Sequence, residues 1–243
     1  PGVRKSSFSF TAPNPILFDF DNGMRRVDAK YRGQYLSFDQ INTWEKLVEI
    51  RPEDLKEFDT IIFDPIGKLM SICTAFVAAQ NVKNRMSSGV LTQTGWGTLG
   101  MTMRNWLAPF KASGKNIVSI SHDKEEKDGD NLIKRPDIAG QLRGQIMSDA
   151  DFIGYMMVSG GQNMVCFSPS DNWYGKNSCG LPAQIPIAST SLAQIFEQYT
   201  TTVNAQSEEY QSYRDQLTEW MDRLYAIENE DDLNYFIESC SEM

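Results

Sequence analysis

Three short apolar runs constrain the fold of this chain more than any other feature of its sequence. They span Ile16–Phe20, Thr60–Asp64 and Asn116–His122. Runs of this length, rich in β-branched and aromatic residues and bounded by turn-forming or polar residues, are typical of buried strands. Segments with apolar residues at helical spacing lie between them, so the sequence predicts an α/β fold with a mainly parallel sheet.

A hairpin and a helical tail are predicted after this alternating region. Phe152–Val158 and Met164–Ser168 indicate two strands, joined by a Ser-Gly-Gly turn. The segment Thr190–Ser239 contains no glycine or proline, which favours a mostly helical structure. We therefore divide the chain into a domain at 1–187 and a helical C-terminal extension at 188–243.

The remaining elements are shorter or less regular. Gln34–Phe38 is a further strand candidate, whereas Ser87–Gly97 and the charged segment Asp123–Asp130 are predicted as loops. The other predicted helices are Thr43–Glu49, one beginning at Pro52, Ile66–Arg85, Leu99–Lys111 and Leu142–Ser148.

Polar side chains follow the three apolar runs, where the strands are predicted to end. In an open α/β sheet, ligands bind at the carboxyl ends of the strands. The sequence therefore predicts one polar site at this edge of the sheet. The residues expected to converge there are Asp19, Asp21, Asp64, His122 and, from the segment before the first run, Lys5 and Ser6.

The first residues resemble the second half of a phosphate-binding loop, G-x-x-x-x-G-K-[ST], if Arg4 is taken in place of glycine. In such a loop Lys5 contacts the β- and γ-phosphates of ATP and Ser6 binds Mg²⁺. Backbone N–H groups bind phosphate oxygens. The predicted nucleotide-binding residues are Gly2, Val3, Arg4, Lys5, Ser6 and Ser7.

Three further residues have possible roles in the same site. Asp64 ends an apolar strand, as does the carboxylate that holds magnesium-bound water in nucleotide hydrolases. Asp21 is a candidate for orienting or deprotonating the attacking water, and His122 for a hydrogen bond to the γ-phosphate. Structural alternatives stay open for each of them. Asp64 could cap a helix that begins near Pro65, Asp21 could belong only to a turn, and His122 could be structural.

Arg4 is the main departure from the loop motif. This position requires a close backbone approach to phosphate and a conformation that disfavours a Cβ. We expect the arginine side chain to obstruct the loop, and a strain of about 1–3 kcal/mol would weaken nucleotide binding about 5- to 150-fold. The first motif glycine would fall before Pro1, so we expect the sequence to begin inside the domain.

Several stretches in one order resemble a known family, phage-encoded nucleotide-binding proteins with a RecA-like AAA-type ATPase core. Some of these are RadA-related recombination or single-strand annealing ATPases. The resemblance covers roughly residues 1–187. The stretches that carry it are Gly2–Ser7, Leu17–Gly23, Thr60–Asp64, Val118–Glu126 and Arg135–Gly140.

A second motif match lies near the end of this region. Lys176-Asn177-Ser178-Cys179-Gly180 resembles the K-N-R-F-G signature of RadA-type proteins, in which Lys and Arg reach a nucleotide across a subunit boundary. Lys176 is kept and Ser178 stands in place of the arginine. The resemblance implies a catalytic role for Lys176, and its alternative is a solvated loop lysine.

The resemblance also implies ATP, Mg²⁺, assembly into a homo-oligomer and work on single-stranded DNA in the cytoplasm of an infected bacterium. The net charge of −9 opposes nonspecific binding to nucleic acid. Basic and aromatic residues in 87–111 could still contact single strands, or belong to an ordinary amphipathic helix. They are Trp96, Arg104, Trp106 and Lys111.

Three functions therefore stay open at the level of sequence. The first is a Mg²⁺-dependent ATPase in phage DNA recombination or replication. The second is a nucleotide-binding module without turnover. The third is a non-enzymatic protein whose acidic helical tail binds phage or host recombination or replication proteins. The sequence contains no apolar run long enough for a membrane span, and its four scattered cysteines favour a reducing compartment.

Overall fold

The computed structural model describes residues 2–27, 29–129, 131–225 and 227. The chain forms two compact units, Pro1–Phe196 and Glu197–Met243. The predicted domain boundary between residues 187 and 188 stays a prediction. Within the described ranges, no helix combines the length and the apolar character needed to cross a membrane.

The first unit is built on a four-stranded parallel sheet with strand order β2-β1-β3-β4. In the register of β1 and β3, Asp19 lies opposite Asp64. This topology confirms the predicted α/β fold with a parallel sheet. The strands are β1 (Pro15–Asp19), β2 (Gln34–Leu36), β3 (Thr60–Asp64) and β4 (Asn116–Ser119).

Helices form between and around these strands. Two of them differ from the prediction, because the helix beginning at Pro52 is a short 3₁₀ helix and the helix predicted over Ile66–Arg85 ends at Gln80. The α-helices of the first unit are α1 (Lys5–Ser9), α2 (Phe38–Ile41), α3 (Trp44–Glu49), α4 (Ile66–Gln80), α5 (Gln93–Ala112) and α6 (Gln141–Asp149). Short 3₁₀ helices cover Gly23–Arg26, Ala29–Tyr31, Pro52–Leu55 and Val82–Asn84.

The main hydrophobic core packs α3, α4 and α5 against one side of the sheet. Its aromatic centre is Trp106, whose ring centroid lies 5.6 Å from that of Trp44, 5.5 Å from that of Phe63 and 5.1 Å from that of Phe110. A smaller cluster contains Leu17, Met24, Ile62 and Ile120. Every residue of β3 is buried. Asp64, at the carboxyl end of this strand, therefore has a well-packed support.

The structure corrects the loop predicted at Asp123–Asp130. Asp123–Asp128 (β5) and Asn131–Pro136 (β6) form an antiparallel two-stranded ribbon. Its charges are partly paired across strands, because Glu126 lies 3.6 Å from Arg135 and also accepts a hydrogen bond of 2.7 Å from Arg143 of α6. An exposed ribbon does not need the alternation of apolar residues by which a buried strand is detected.

The loop predicted at Ser87–Gly97 is also partly wrong, because α5 begins at Gln93. The hydroxyl of Thr92 caps this helix by accepting a hydrogen bond from the Gly95 N–H, at 3.2 Å. A Cβ at Gly95 would lie 2.1 Å from the carbonyl oxygen of Asn84. The glycine therefore allows a close contact between helix and backbone and does not mark a loop.

The rest of the chain agrees with the predictions in part. The predicted hairpin consists of β8 (Tyr155–Ser159) and β9 (Gln162–Cys166). The predicted strand Phe152–Val158 is interrupted at Gly154, because Phe152–Ile153 pairs with Lys176–Asn177 and not with the hairpin. The predicted tail forms the helix α7 (Leu192–Tyr225), and the prediction for 226 and 228–239 lies outside the described residues. The remaining strands are β7 (Phe152–Ile153), β10 (Lys176–Asn177) and β11 (Gln184–Pro186).

Candidate functional site

The segment before α1 contains two residues with positive φ. Arg4 immediately precedes α1 and has φ 61° and ψ 34°, in the left-handed region. Gly2 also has a positive φ, of 85°. The first N–H groups of a helix have no partner within that helix and can bind an anion. The exposed side chain of Arg4 therefore stands on a backbone that is normally suited to glycine.

A hydrogen bond joins this loop to the end of β3. The Ser6 hydroxyl donates to Oδ2 of Asp64, a residue 58 positions later in the chain. Asp64 is only 8% exposed. The two oxygen-bearing side chains predicted to act on magnesium are thus in direct contact.

The charge of Asp64 is poorly compensated by its surroundings. Burial raises the pKa of this carboxyl above its usual value, and the hydrogen bond from Ser6 opposes that rise. The charges of Asp21 and Asp19 raise the pKa further, whereas Lys5 lowers it. A cation bound beside Asp64 would favour its ionised form.

Asp19 occupies the equivalent position on β1 but has different partners. Its carboxylate accepts hydrogen bonds from the N–H groups of Gly23 (2.7 Å), Met24 (2.9 Å) and Asp21 (3.4 Å). Only 2% of Asp19 is exposed. This carboxylate therefore organises the turn that follows β1.

Asp21 lies in that turn, at the same end of the sheet as Asp64. Its carboxylate forms an ion pair of 3.0 Å with Arg26. Asn22 has a φ of 56°, and a 3₁₀ helix follows it, so the predicted turn is present. The influence of Asp21 on the pKa of Asp64 is consistent with a place beside the site, and its catalytic role stays a prediction.

His122 lies just beyond β4 and is exposed. Its backbone carbonyl accepts hydrogen bonds from the Asp137 N–H (2.8 Å) and the Ser121 hydroxyl (2.9 Å). The sheet extends towards it, because the Ile120 N–H donates to the Phe63 carbonyl at 2.9 Å. His122 is thus at the predicted end of the sheet, and the role of its imidazole stays a prediction.

Lys176 has a local structural partner. Its Nζ donates to the carbonyls of Ser148, at 3.1 Å, and Ala150, at the C-terminal end of α6. A positive charge is favourable at that end of a helix. Lys176 is therefore not a freely solvated loop lysine, and its role across a subunit boundary stays a prediction.

The structure separates the four residues considered for contact with single-stranded DNA. Trp106 is 8% exposed and its indole N–H donates to the Leu47 carbonyl at 3.1 Å, so its proposed contact with a base is wrong. Lys111 forms an ion pair with Asp149. Arg104 hydrogen bonds to Gln145 at 3.3 Å, and Trp96 is 39% exposed. Trp96 and Arg104 keep accessible surface for a ligand.

A cleft of about 650 Å³ lies beside Asp21, and sequence reasoning missed it. Its lining comes from the turn after β1, from α2 and α3, and from α4. No local motif could reveal it, because its residues come from separate segments of the chain. Those that define its walls are Phe20, Asn22, Phe38, Trp44, Lys68 and Phe76.

The parallel sheet, the Lys-Ser loop at a helix start and the contact from Ser6 to Asp64 together define a P-loop type of nucleotide-binding core. The family model described as an AAA domain matches residues 1–179, and the chain belongs to this family. Membership implies nucleotide binding, typically of Mg²⁺-ATP. Searches of curated proteins and of solved structures find no match.

The residues present fit a magnesium–nucleotide complex. Magnesium is usually bound by one or two protein oxygen ligands together with waters and substrate phosphates, and the Ser6 hydroxyl and the Asp64 carboxylate can supply the protein's share. Across the described ranges there is no group of three or more His, Cys, Asp and Glu side chains that could hold a metal.

Proposed function

We propose that this chain binds ATP with Mg²⁺ at the loop containing Lys5 and Ser6, and that it hydrolyses the nucleotide. The observation that carries the proposal is the contact between the Ser6 hydroxyl and the buried Asp64 carboxylate. It joins the loop to the end of a central strand, where a γ-phosphate and its metal are bound in P-loop proteins.

Each residue of the loop has a distinct task in this proposal. The Lys5 ammonium contacts the β- and γ-phosphates, and the N–H groups of residues 2–7 surround the phosphate oxygens. Ser6 would hold the magnesium ion directly, and Asp64 would hold it through a water bound to the ion. When bound, the ion neutralises charge that develops on the phosphates.

Turnover in this proposal depends on three further residues. Asp21 orients or deprotonates the attacking water, His122 donates to the γ-phosphate, and Lys176 reaches a nucleotide bound by a neighbouring copy. Asp21 is paired with Arg26 in the structure, so action on water requires this ion pair to open. Lys176 would likewise have to leave the carbonyls at the end of α6.

Calorimetry with ATP and Mg²⁺ tests the binding step. We expect Lys5→Ala to weaken binding at least about tenfold, the effect of losing one charge-assisted contact of roughly 1.4 kcal/mol or more. Lys56→Ala, which removes an exposed lysine outside the loop, is the matched control and should bind like the wild type. Equal affinities for the wild type and Lys5→Ala would refute the proposed site.

A second candidate is a nucleotide-binding module without turnover. The left-handed backbone of Arg4 favours it, because a non-glycine residue in this region costs roughly 1–2 kcal/mol and its side chain stands at the phosphate loop. The two candidates differ in steady-state phosphate release. Release that Asp64→Ala abolishes supports the ATPase. ATP binding without phosphate release by the wild type, together with phosphate release by Arg4→Gly, supports the module.

The narrower role that we propose is phage DNA recombination or single-strand annealing, in the cytoplasm of an infected bacterium and as a homo-oligomer. Its support is the motif resemblance, together with the accessible Trp96 and Arg104. Single-stranded DNA should stimulate phosphate release, and Trp96→Ala with Arg104→Ala should reduce the stimulation without changing ATP affinity. Absence of any effect of DNA would remove this role and leave the ATPase proposal intact.

A further inference from the structure

The long helix α7 carries an apolar stripe with the spacing of a coiled coil. Its members recur at alternating steps of three and four residues, which corresponds to the a and d positions of a heptad repeat. The pattern begins at Phe196 and Tyr199, and one polar residue, Gln206, interrupts it. The remaining members are Val203, Tyr210, Tyr213, Leu217, Trp220 and Leu224.

The distal part of this stripe is exposed in the single chain. Tyr210 is 60% exposed, Tyr213 is 61%, Leu217 is 45% and Leu224 is 50%. Most of the stability of a helix in a protein comes from packing of its apolar face. A stripe on a helix of 34 residues therefore requires a partner with matching spacing.

The charges beside the stripe are complementary to those on a second copy of the same helix. Glu209 occupies a g position and Arg214 the following e position. In a parallel, in-register pair of helices, a g residue meets the e residue five positions later on the other helix. Each pair of chains would form two Glu209–Arg214 contacts. The neighbouring g and e pairs, Thr202 with Ser207 and Gln216 with Met221, are uncharged.

An antiparallel pair fits these charges less well. The alignment that places Glu209 opposite Arg223 of the other helix brings the two copies of Arg214 opposite each other. Like charges in such positions are destabilising. We propose that residues 203–224 of α7 form a parallel, in-register, two-stranded coiled coil with a second copy of this chain.

Sedimentation of the full chain without nucleotide, over a range of concentrations, tests the association. We expect a dimer that Tyr213→Asp dissociates, with a rise in the dissociation constant of about 100-fold or more, because a carboxylate would be buried at a d position. Tyr225→Asp is the matched control, since Tyr225 is 77% exposed and lies at a b position outside the stripe. It should associate like the wild type.

Several results would overturn the proposal. They are a monomeric wild type at tens of micromolar, an assembly of three or more chains, association that survives Tyr213→Asp, or equal dissociation by Tyr225→Asp. Because Tyr213→Asp could also unfold the helix, charge variants supply a second test in which the apolar stripe is unchanged.

Charge reversal distinguishes the parallel from the antiparallel arrangement. Glu209→Arg and Arg214→Glu should each weaken the dimer roughly 5- to 30-fold, because two attractive contacts become repulsive. The double variant recreates both contacts with reversed signs and should recover most of the wild-type affinity. An absence of recovery would overturn the parallel register.

Discussion

The ends of β1 and β3 present the same residue in equivalent places and use it differently. Asp19 and Asp64 lie opposite each other in the parallel register, and both are buried. The carboxylate of Asp19 accepts three backbone N–H groups. Asp64 accepts the Ser6 hydroxyl, and burial raises the pKa of its carboxyl. The two carboxylates differ in their partners and not in their position on the sheet, and the partners separate the structural aspartate from the candidate metal-binding one.

This difference has an energetic meaning. Three backbone N–H groups donate to the buried carboxylate of Asp19, and these hydrogen bonds stabilise the turn. The ionised form of Asp64 is incompletely compensated and is therefore costly in the protein alone. Binding sites often retain such destabilised groups because the ligand supplies the missing charge.

The largest expected effect is on turnover. We predict that Asp64→Ala lowers the rate of ATP hydrolysis by about 1000-fold, because the bound metal contributes several kcal/mol to the transition state and this variant loses the carboxylate that holds the magnesium-bound water. Phosphate release at saturating Mg²⁺-ATP measures the effect. The thermal unfolding of the variant should stay close to that of the wild type. Turnover that persists in Asp64→Ala would assign the metal to another residue.

Asp19→Ala should act on stability instead. We expect the free energy of unfolding to fall by roughly 2–4 kcal/mol, because three N–H groups lose a charged acceptor in a buried place. Urea unfolding provides the measurement. Asp39→Ala, at an exposed aspartate, is the control and should change stability by less than about 0.5 kcal/mol. Similar losses in both variants would contradict the structural role of Asp19.

The raised pKa of Asp64 predicts a pH-dependent stability difference from Asp64→Asn in metal-free protein. The folded state favours the neutral carboxyl, so the wild type is favoured below the unfolded pKa of about 3.8. It loses that advantage as pH rises through the higher folded pKa. At pH 7 the variant should thus have the larger free energy of unfolding. Urea unfolding from pH 7 to pH 4 should show that the difference in free energy of unfolding between the two proteins becomes smaller. A difference that grows towards acid pH would show that the pKa of Asp64 is lowered and not raised.

The smallest expected effect is at Arg4. Arg4→Gly removes a Cβ from a left-handed backbone, which gains about 1–2 kcal/mol, but it adds flexibility to the unfolded chain, which costs about 0.5–1 kcal/mol. We predict a net gain in stability of roughly 0.5–1 kcal/mol and tighter ATP binding in calorimetry. Arg51→Gly, at a residue with φ −111°, should give no such gain. Lower stability of Arg4→Gly would show that the loop does not carry this strain.

The parallel sheet was predictable because its strands leave a strong signal. β3 is buried at every residue, and continuous apolar runs of that kind stand out against polar flanks. The position of Asp64 at this edge followed from a rule about strand ends, and the expected roles of Lys5 and Ser6 followed from the loop motif. The rule places a residue at an edge but does not give its partners, so Asp19 and Asp64 could not be told apart.

Other features were hidden for identifiable physical reasons. The strands of the ribbon at 123–136 are accessible and rich in charged residues, so they lack the apolar alternation by which a strand is detected. The start of α5 contains Gly95 because the backbone of Asn84 packs against it. The glycine, serine and threonine content of this segment alone suggested a loop. Trp106 resembled a surface aromatic in its basic surroundings, yet the sheet and α3 enclose it. Each of these depends on contacts between residues that are distant in the sequence.

The three hydrogen bonds on Asp19 also affect motion. Opening the turn after β1 would break the bonds of Asp21, Gly23 and Met24 to one carboxylate, so these amides should exchange with solvent as a group and not one at a time. The hydrogen bond from the Asp21 N–H to Asp19 restrains the backbone of Asp21. Fluctuations that bring Asp21 to a substrate would then come from its side chain, on the nanosecond timescale of rotamer changes, while its backbone stays in place.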